Sequence, residues 1–282
     1  MLLSTFCFSL MQFLIKAMPQ IPSIEHVFFR SFVTWLFSVG FLLANGISVV
    51  GKNQKLLLLR GVVGSVSMFS FFYILPRIPF ATSVTFKYLS PMFTTLFAVA
   101  LLNERPRWVQ WGCIGLSFTG VLLLKGFDTR IDLFDFGIGI LSGVAGGLLY
   151  IIRKIGDDDH PLVVVHYFML LASLVSGFWM IPYWVTPTLT EATGLFLIGF
   201  VGFVAQVYMT KAFMEPDDLS SLAILRYAEV LYALLIGFLW FGETYTPLSF
   251  LGILLILSGL LLSIRTKPAK TKDIVPETNL TE

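Results

Sequence analysis

Ten long apolar runs, separated by short breaks of Pro, Gly or charged residues, dominate this chain of 282 residues. Backbone amides in lipid have no water to bond, so such runs must close their own hydrogen bonds as helices. About 20 residues cross the hydrocarbon, with a working range of roughly 17 to 25. The breaks place spans at 1–17, 24–44, 56–75, 80–102, 108–125, 134–153, 161–181, 193–213, 219–241 and 247–264. Composition excludes the soluble alternative. The chain is 56% hydrophobic and 13% charged, whereas a soluble domain carries about a quarter charged residues. The connections are short, which favours antiparallel neighbours and leaves no room for a separate soluble domain. Residues 265–282 form a polar, Lys- and Pro-containing tail expected to be disordered and cytoplasmic.

The segment Met1 to Ile15 lacks a basic n-region and a small-x-small cleavage site, so it is expected to stay as a helix. It begins with almost no leader, consistent with a natural start a few residues upstream. Cys7 and Cys113 lie in apolar runs and do not form a disulfide framework or zinc-ligand spacing. Nothing in the pattern calls for a metal or a cofactor.

Orientation follows from the basic residues. With the amino end cytoplasmic, the inner connections and tail hold eleven Lys and Arg, and the outer connections hold four: Lys16, Arg77, Lys125 and Arg130. That asymmetry satisfies the positive-inside rule and puts both termini in the cytoplasm.

Sliding the chain over itself by 139 residues aligns Phe86-Lys87-Tyr88 with Leu225-Arg226-Tyr227 and Asn103-Glu104-Arg105 with Gly242-Glu243-Thr244. Gly120 falls on Gly259 in the same alignment. Each copy holds five spans, an odd number, so the second copy enters the membrane from the opposite face. The expected fold is therefore an all-α integral membrane protein of ten transmembrane helices, arranged as two inverted five-helix repeats, 1–125 and 134–264. Inverted repeats of this kind are characteristic of secondary transporters. Three positions break the repetition: Pro91 falls on Val230, Arg30 on Met169, and Gly112 lies one residue out of step with Gly252.

These motifs carry a resemblance. Span two opens Glu25-His26-Val27-Phe28-Phe29-Arg30-Ser31, span four ends Leu101-Leu102-Asn103-Glu104-Arg105-Pro106, and the second half repeats the latter as Phe241-Gly242-Glu243-Thr244. Over essentially its whole length the chain resembles the drug/metabolite transporter superfamily, EamA type, in which two five-helix repeats make one carrier. The resemblance implies a permease of a plasma membrane, here a bacterial inner membrane, with a small-molecule substrate and no nucleic-acid partner. Proton coupling and a homodimer are candidate additions.

Four basic residues fall within spans: Arg30, Lys87, Lys211 and Arg226. Lys211, near an inner end, reads as a snorkelling side chain. Lys87 and Arg226 each sit seven residues into their spans, from opposite faces, hence roughly 10 Å inside their own boundaries. A charge near the bilayer centre costs from about 3 to over 10 kcal/mol unless it meets a partner or a wet cavity. Glu229 lies three residues after Arg226, on the same helical face. One reading makes these two a purely structural ion pair, which leaves Lys87 and Arg30 without partners. The functional reading is a central cavity with surplus positive charge, lined by Lys87, Tyr88, Arg226 and Tyr227, with Arg30 as a further cation. Such a cavity suits an amino acid, a related organic acid or another anionic group, because Arg forks onto two oxygens and Tyr hydroxyls donate. Zwitterionic or nucleotide-like metabolites and drugs are the alternative cargo. Glu229 is also the candidate for proton exchange.

Glu104 and Glu243 close spans four and nine at opposite faces, which suits helix-end anchoring or a gate contact. Pro91 removes one backbone hydrogen bond mid-span and is expected to kink that helix, as a static bend or a hinge near Lys87. Gly139, Gly143 and Gly147 recur every four residues on span six, a small-residue stripe for close packing. An integral-membrane enzyme would need converging ligands or a nucleophile–base pair, and the three histidines, His26, His160 and His166, carry no such pattern. Intramembrane cations without a pore-lining ring weigh against a channel, and a membrane scaffold is the remaining alternative, separable by counterflow.

Overall fold

A computed structural model describes residues 1–102, 108–127, 131–155, 159–214, 225 and 228–265. Every regular element among them is helical. In chain order the helices are α1 (Leu2–Lys16), α2 (Ser23–Ala44), α3 (Gln54–Ile74), α4 (Phe80–Lys87), α5 (Ser90–Leu102), α6 (Trp108–Phe127), α7 (Leu133–Ile155), α8 (Pro161–Met180), α9 (Leu189–Met214), α10 (Ala228–Phe241) and α11 (Pro247–Arg265). Among the described residues, Ser23–Ala44, Gln54–Ile74, Phe80–Leu101, Pro161–Tyr183 and Leu189–Met209 are long and apolar enough to cross a membrane. Leu2–Lys16, Trp111–Leu123, Leu133–Leu148, Ala228–Phe241 and Pro247–Gly259 form shorter apolar stretches.

The distribution of polarity is the reverse of a soluble fold. Phe178, Leu239 and Trp240 on the exterior are more than 70% exposed, whereas Gln12, Thr34 and Glu229 in the interior are 1% exposed or less. Hydrocarbon outside suits the first group, and internal hydrogen bonds hold the second.

The bundle is built from α1 on α9 and α3 on α7, α2 on both α8 and α9, α3 on α8, α5 on α7, and α10 on α1 and α4. Helices α6 and α11 pack chiefly on each other through glycines. Gly120 lies against the Gly252 carbonyl and Ile256, and Gly259 against the Cys113 carbonyl and Ser117. The Ser117 hydroxyl faces the Ile256 carbonyl at 3.5 Å across the same seam.

The expected span 80–102 is one crossing on hydropathy but two helices in the structure, α4 and α5, interrupted at Tyr88 and Leu89. Proline at 91 has no N–H to give the Lys87 carbonyl four residues earlier. The Ser90 hydroxyl takes that carbonyl instead, at 2.7 Å. Such breaks persist at membrane depth only where packed protein surrounds them, and the glycine stripe of α7 supplies the packing. Gly139 faces the Phe86 ring, Gly143 faces Leu89 and the Phe86 carbonyl, and Gly147 faces Phe93 and the Thr94 backbone. A Cβ at Gly147 would lie 2.8 Å from the Thr94 nitrogen, so a larger residue there would push the break away from α7.

Helix α10 ends in a glycine turn. Gly242 adopts a φ of 60°, in the left-handed region that glycine enters at little cost. The chain therefore folds back, and the Glu243 N–H donates to the Gly237 carbonyl at 2.9 Å. Gly237 itself has no Cβ to meet the Glu243 carboxylate. The two glycines thus aim Glu243 back at the bundle.

Candidate functional site

Four helices bring their polar residues to one point. Helix α4 is only eight residues long and ends at Lys87, at the break. Helix α10 begins in its first turn with Glu229, whose side chain is 1% exposed. The Lys87 Nζ lies 2.6 Å from Glu229 Oε1. Gln12 of α1 donates through Nε2 to the same oxygen at 2.6 Å, and the Tyr88 hydroxyl donates to Oε2 at 2.8 Å. The carboxylate is thereby held by one cation and two neutral donors, which is what a buried anion requires. The ammonium also sits 5.0 Å from the Phe8 ring centroid and 5.6 Å from that of Phe71, so aromatic faces offset part of its desolvation.

A cavity of about 180 Å³ adjoins this cluster, lined among others by Gln12, Arg30, Met68, Phe71, Lys87 and Glu229. Lys87 keeps 26% of its side chain exposed there, whereas Glu229 lies behind it. Arg30, on α2, is 5% exposed. Its Nη1 points at two thioethers, Met68 Sδ at 2.9 Å and Met169 Sδ at 3.0 Å. Sulfur is a weak acceptor. The Arg30 Nε is buried with no hydrogen-bond partner, and so is the Gln12 Oε1. Among the described residues no carboxylate lies within ion-pair distance of Arg30.

A second cluster closes one end of the bundle. Lys16, at the end of α1, lies 2.9 Å from Glu243 Oε1 and donates to the Ile78 carbonyl at 2.6 Å. Glu243 Oε2 accepts the Phe80 N–H at 2.7 Å and the Tyr245 hydroxyl at 2.7 Å. Phe80 opens α4, so the carboxylate occupies the positive end of the helix that carries Lys87 at its other end.

The structure thus brings Lys87, Glu229 and Arg30 to one cavity, holds Tyr88 on Glu229, and sets Glu243 apart at a helix end. Arg226, Tyr227 and Glu104 lie outside the described residues. Lys87, which the sequence left without a partner, is paired with Glu229 across 142 positions. Sequence reasoning did not place Gln12, Lys16, Met68 or Met169 in a site. Gln12 had one available signal, being an amide in an otherwise apolar helix. The histidines do not converge: His26 meets the Met18 carbonyl, His160 caps α8, and His166 lies beside Trp35. No cluster of potential metal ligands occurs among the described residues.

The EamA-like transporter family model matches residues 1–125 and again 136–265. The pseudopaline exporter CntI of Pseudomonas aeruginosa is 31% identical over 269 residues, covering 94% of this chain and 94% of that protein. An S-adenosylmethionine uptake transporter of Rickettsia bellii is 27% identical over 261 residues, covering 90% of this chain and 88% of its own. Human solute carrier family 35 member G1 is 27% identical over 271 residues, covering 87% of this chain and 72% of its own. One solved crystal structure has the same fold, with a TM-score of 0.61 at 19% identity, covering 92% of this chain and 96% of that one. With two matches to one family model and transporters as its relatives, this chain belongs to the EamA-like transporter family of the drug/metabolite superfamily and is an integral membrane transporter, not an enzyme.

Proposed function

We propose that the chain is a secondary transporter that carries a small, polar, carboxylate-bearing metabolite across a bacterial inner membrane by alternating access. The observation that carries this reading is the placement of Lys87 and Arg30 on one internal cavity with one carboxylate, Glu229, among its described lining residues. Among the described lining residues two cations, Lys87 and Arg30, face one anion, Glu229, which favours the entry of a carboxylate. Arg226 and Tyr227, the repeat counterparts of Lys87 and Tyr88, are proposed to complete the site. Two relatives carry cargo fitting this class by name, a pseudopaline exporter and an S-adenosylmethionine uptake transporter.

Alternating access rests on the inverted repeat, and the same 139-residue shift relates several contacts. Arg30 meets Met169 and Ser117 meets Ile256, each pair separated by that interval. The contacts of Gly120 with Gly252 and Ile256 become, under the shift, those of Gly259 with Cys113 and Ser117. The packing of α1 on α9 has its counterpart in α7 on α3. An element that meets its own counterpart lies near a pseudo-two-fold axis, and exchange of shapes between the halves then gives two open states.

With both termini cytoplasmic, the cavity extends to Ser4 and Thr5 on the inner side, while Lys16 and Glu243 tie the outer side. That is the geometry of an inward-facing state. Proton exchange at Glu229 and a homodimer belong to this proposal as additions. Saturable counterflow in proteoliposomes tests it, since a channel gives none.

A further inference from the structure

Two side chains that line the cavity each carry a buried, unsatisfied atom, and the two are of opposite sense. The Arg30 Nε is a donor without an acceptor, in a side chain 95% buried. The Gln12 Oε1 is an acceptor without a donor, in a side chain with no exposed surface. The orientation of the Gln12 amide is not free. A carboxylate only accepts, so the NH₂ group must face Glu229 and the carbonyl oxygen must face away. A buried orphan of either kind is costly until something pairs with it. Both belong to side chains lining the same cavity, beside an ion pair of which one member, Lys87, reaches the cavity surface.

From this pairing we infer that the site is built for a zwitterion: the substrate carboxylate docks on Arg30 and its ammonium on Gln12 Oε1 and Glu229. This inference rests on the transport reading above and narrows its cargo. An ammonium arriving at Glu229 takes over the role of Lys87, and the displaced Lys87 can turn to the substrate carboxylate. Glu229 then has a cationic partner before and after binding, and the Arg30 Nε gains the acceptor it lacks. A simple anion cannot make this exchange. It draws Lys87 away and leaves Glu229 buried without a cation, or it binds Arg30 alone and leaves Gln12 unsatisfied. A simple amine leaves Arg30 held only by the Met68 and Met169 sulfurs. Selectivity therefore arises as much from the cost imposed on the wrong ligand as from the contacts made with the right one.

The test uses full-length protein purified in detergent, with thermal shift as the readout. The probes are amino acids with aliphatic, aromatic and polar side chains, each accompanied by its des-amino acid and its des-carboxy amine, at about 10 mM. At least one amino acid is expected to raise Tm, with both of its analogues at least about tenfold weaker in titration. Glu229→Gln should bring the zwitterion down to the level of its des-amino acid, and Arg30→Gln should weaken both acids together. The wild-type ranking alone decides the matter if a variant does not fold. Des-amino acids as tight as the amino acids, or no amino acid that shifts Tm, would overturn the inference. The transport reading is scored separately by counterflow of the same solutes. Counterflow of acids and amino acids alike leaves transport intact and sinks only the zwitterion preference. The zwitterion ranking without counterflow of any solute sinks transport alone.

Discussion

Lys87 Nζ lies 2.6 Å from Glu229 Oε1, an ion pair that joins the two halves of the chain inside the bundle. The pair is not an isolated bridge, because Gln12 and Tyr88 hold the remaining acceptor capacity of the carboxylate. Helix α4 is tied to α10 a second time through Phe80 and Glu243. The lysine thus sits at the end of a short helix anchored at both ends.

Removing one partner of this pair strands the other. Lys87→Met is expected to destabilise the protein by about 3 to 5 kcal/mol, the usual penalty for a buried charge left alone. Adding Glu229→Gln should recover a large part of it, because no charge then remains to be compensated. A double-mutant cycle on equilibrium unfolding in detergent checks this. Additive effects would mean that the contact carries no coupling.

The glycine stripe separates packing from propensity on a single helix. A Cβ at Gly147 would approach the Thr94 nitrogen, whereas one at Gly137 meets nothing within 4 Å. Gly147→Val should therefore cost about 1 to 3 kcal/mol by overpacking against α5, and Gly137→Ala should be neutral or slightly stabilising. Thermal unfolding of the two variants side by side is the measurement. Equal effects would refute the close approach of α7 to the break.

At the Lys16 end, Glu243 acts both as an ion-pair partner and as a cap. Glu243→Gln keeps an oxygen for the Phe80 N–H but loses the charge, so it is expected to cost less than Glu243→Ala. The alanine variant should lose an additional 0.5 to 2 kcal/mol or so, typical of a lost helix cap. The ranking, read from Tm, checks the geometry at Gly242.

Pro91→Ala restores the backbone donor that the Lys87 carbonyl lacks. The expected result is a protein of unchanged helix content whose transport falls sharply, because a continuous helix re-aims Lys87 away from Glu229. Circular dichroism and proteoliposome uptake together check it. Undiminished uptake would make the break a passive bend.

Much of this was legible in the sequence, for a physical reason. The apolar runs that form the helices are a property of hydropathy, which the bilayer reads directly. Gly139, Gly143 and Gly147 were readable as a stripe because their period matches the helix. Their partner was not, because nothing local tells α7 that it packs on the break at Tyr88 and Leu89. Pro91 announced a kink, but the division of span four into α4 and α5 also depends on Ser90, whose hydroxyl takes the freed carbonyl. Local spacing suggested Arg226 as the partner of Glu229. The described partners, Lys87 and Gln12, come from sequence separations of 142 and 217, which only the fold closes. Arg30 was visible as a cation without a mate, but its Met68 and Met169 neighbours look like ordinary apolar residues until they are seen around it.

The most direct test of the cavity as the substrate site is a thermal-shift screen of anionic and zwitterionic metabolites, repeated on Lys87→Ala and Arg226→Ala, each against its own ligand-free baseline. A solute that undergoes counterflow in proteoliposomes should raise the Tm of the unaltered protein and leave both variants where they were. Equal stabilisation of all three proteins by that solute would place its binding site elsewhere and contradict the role given to Lys87.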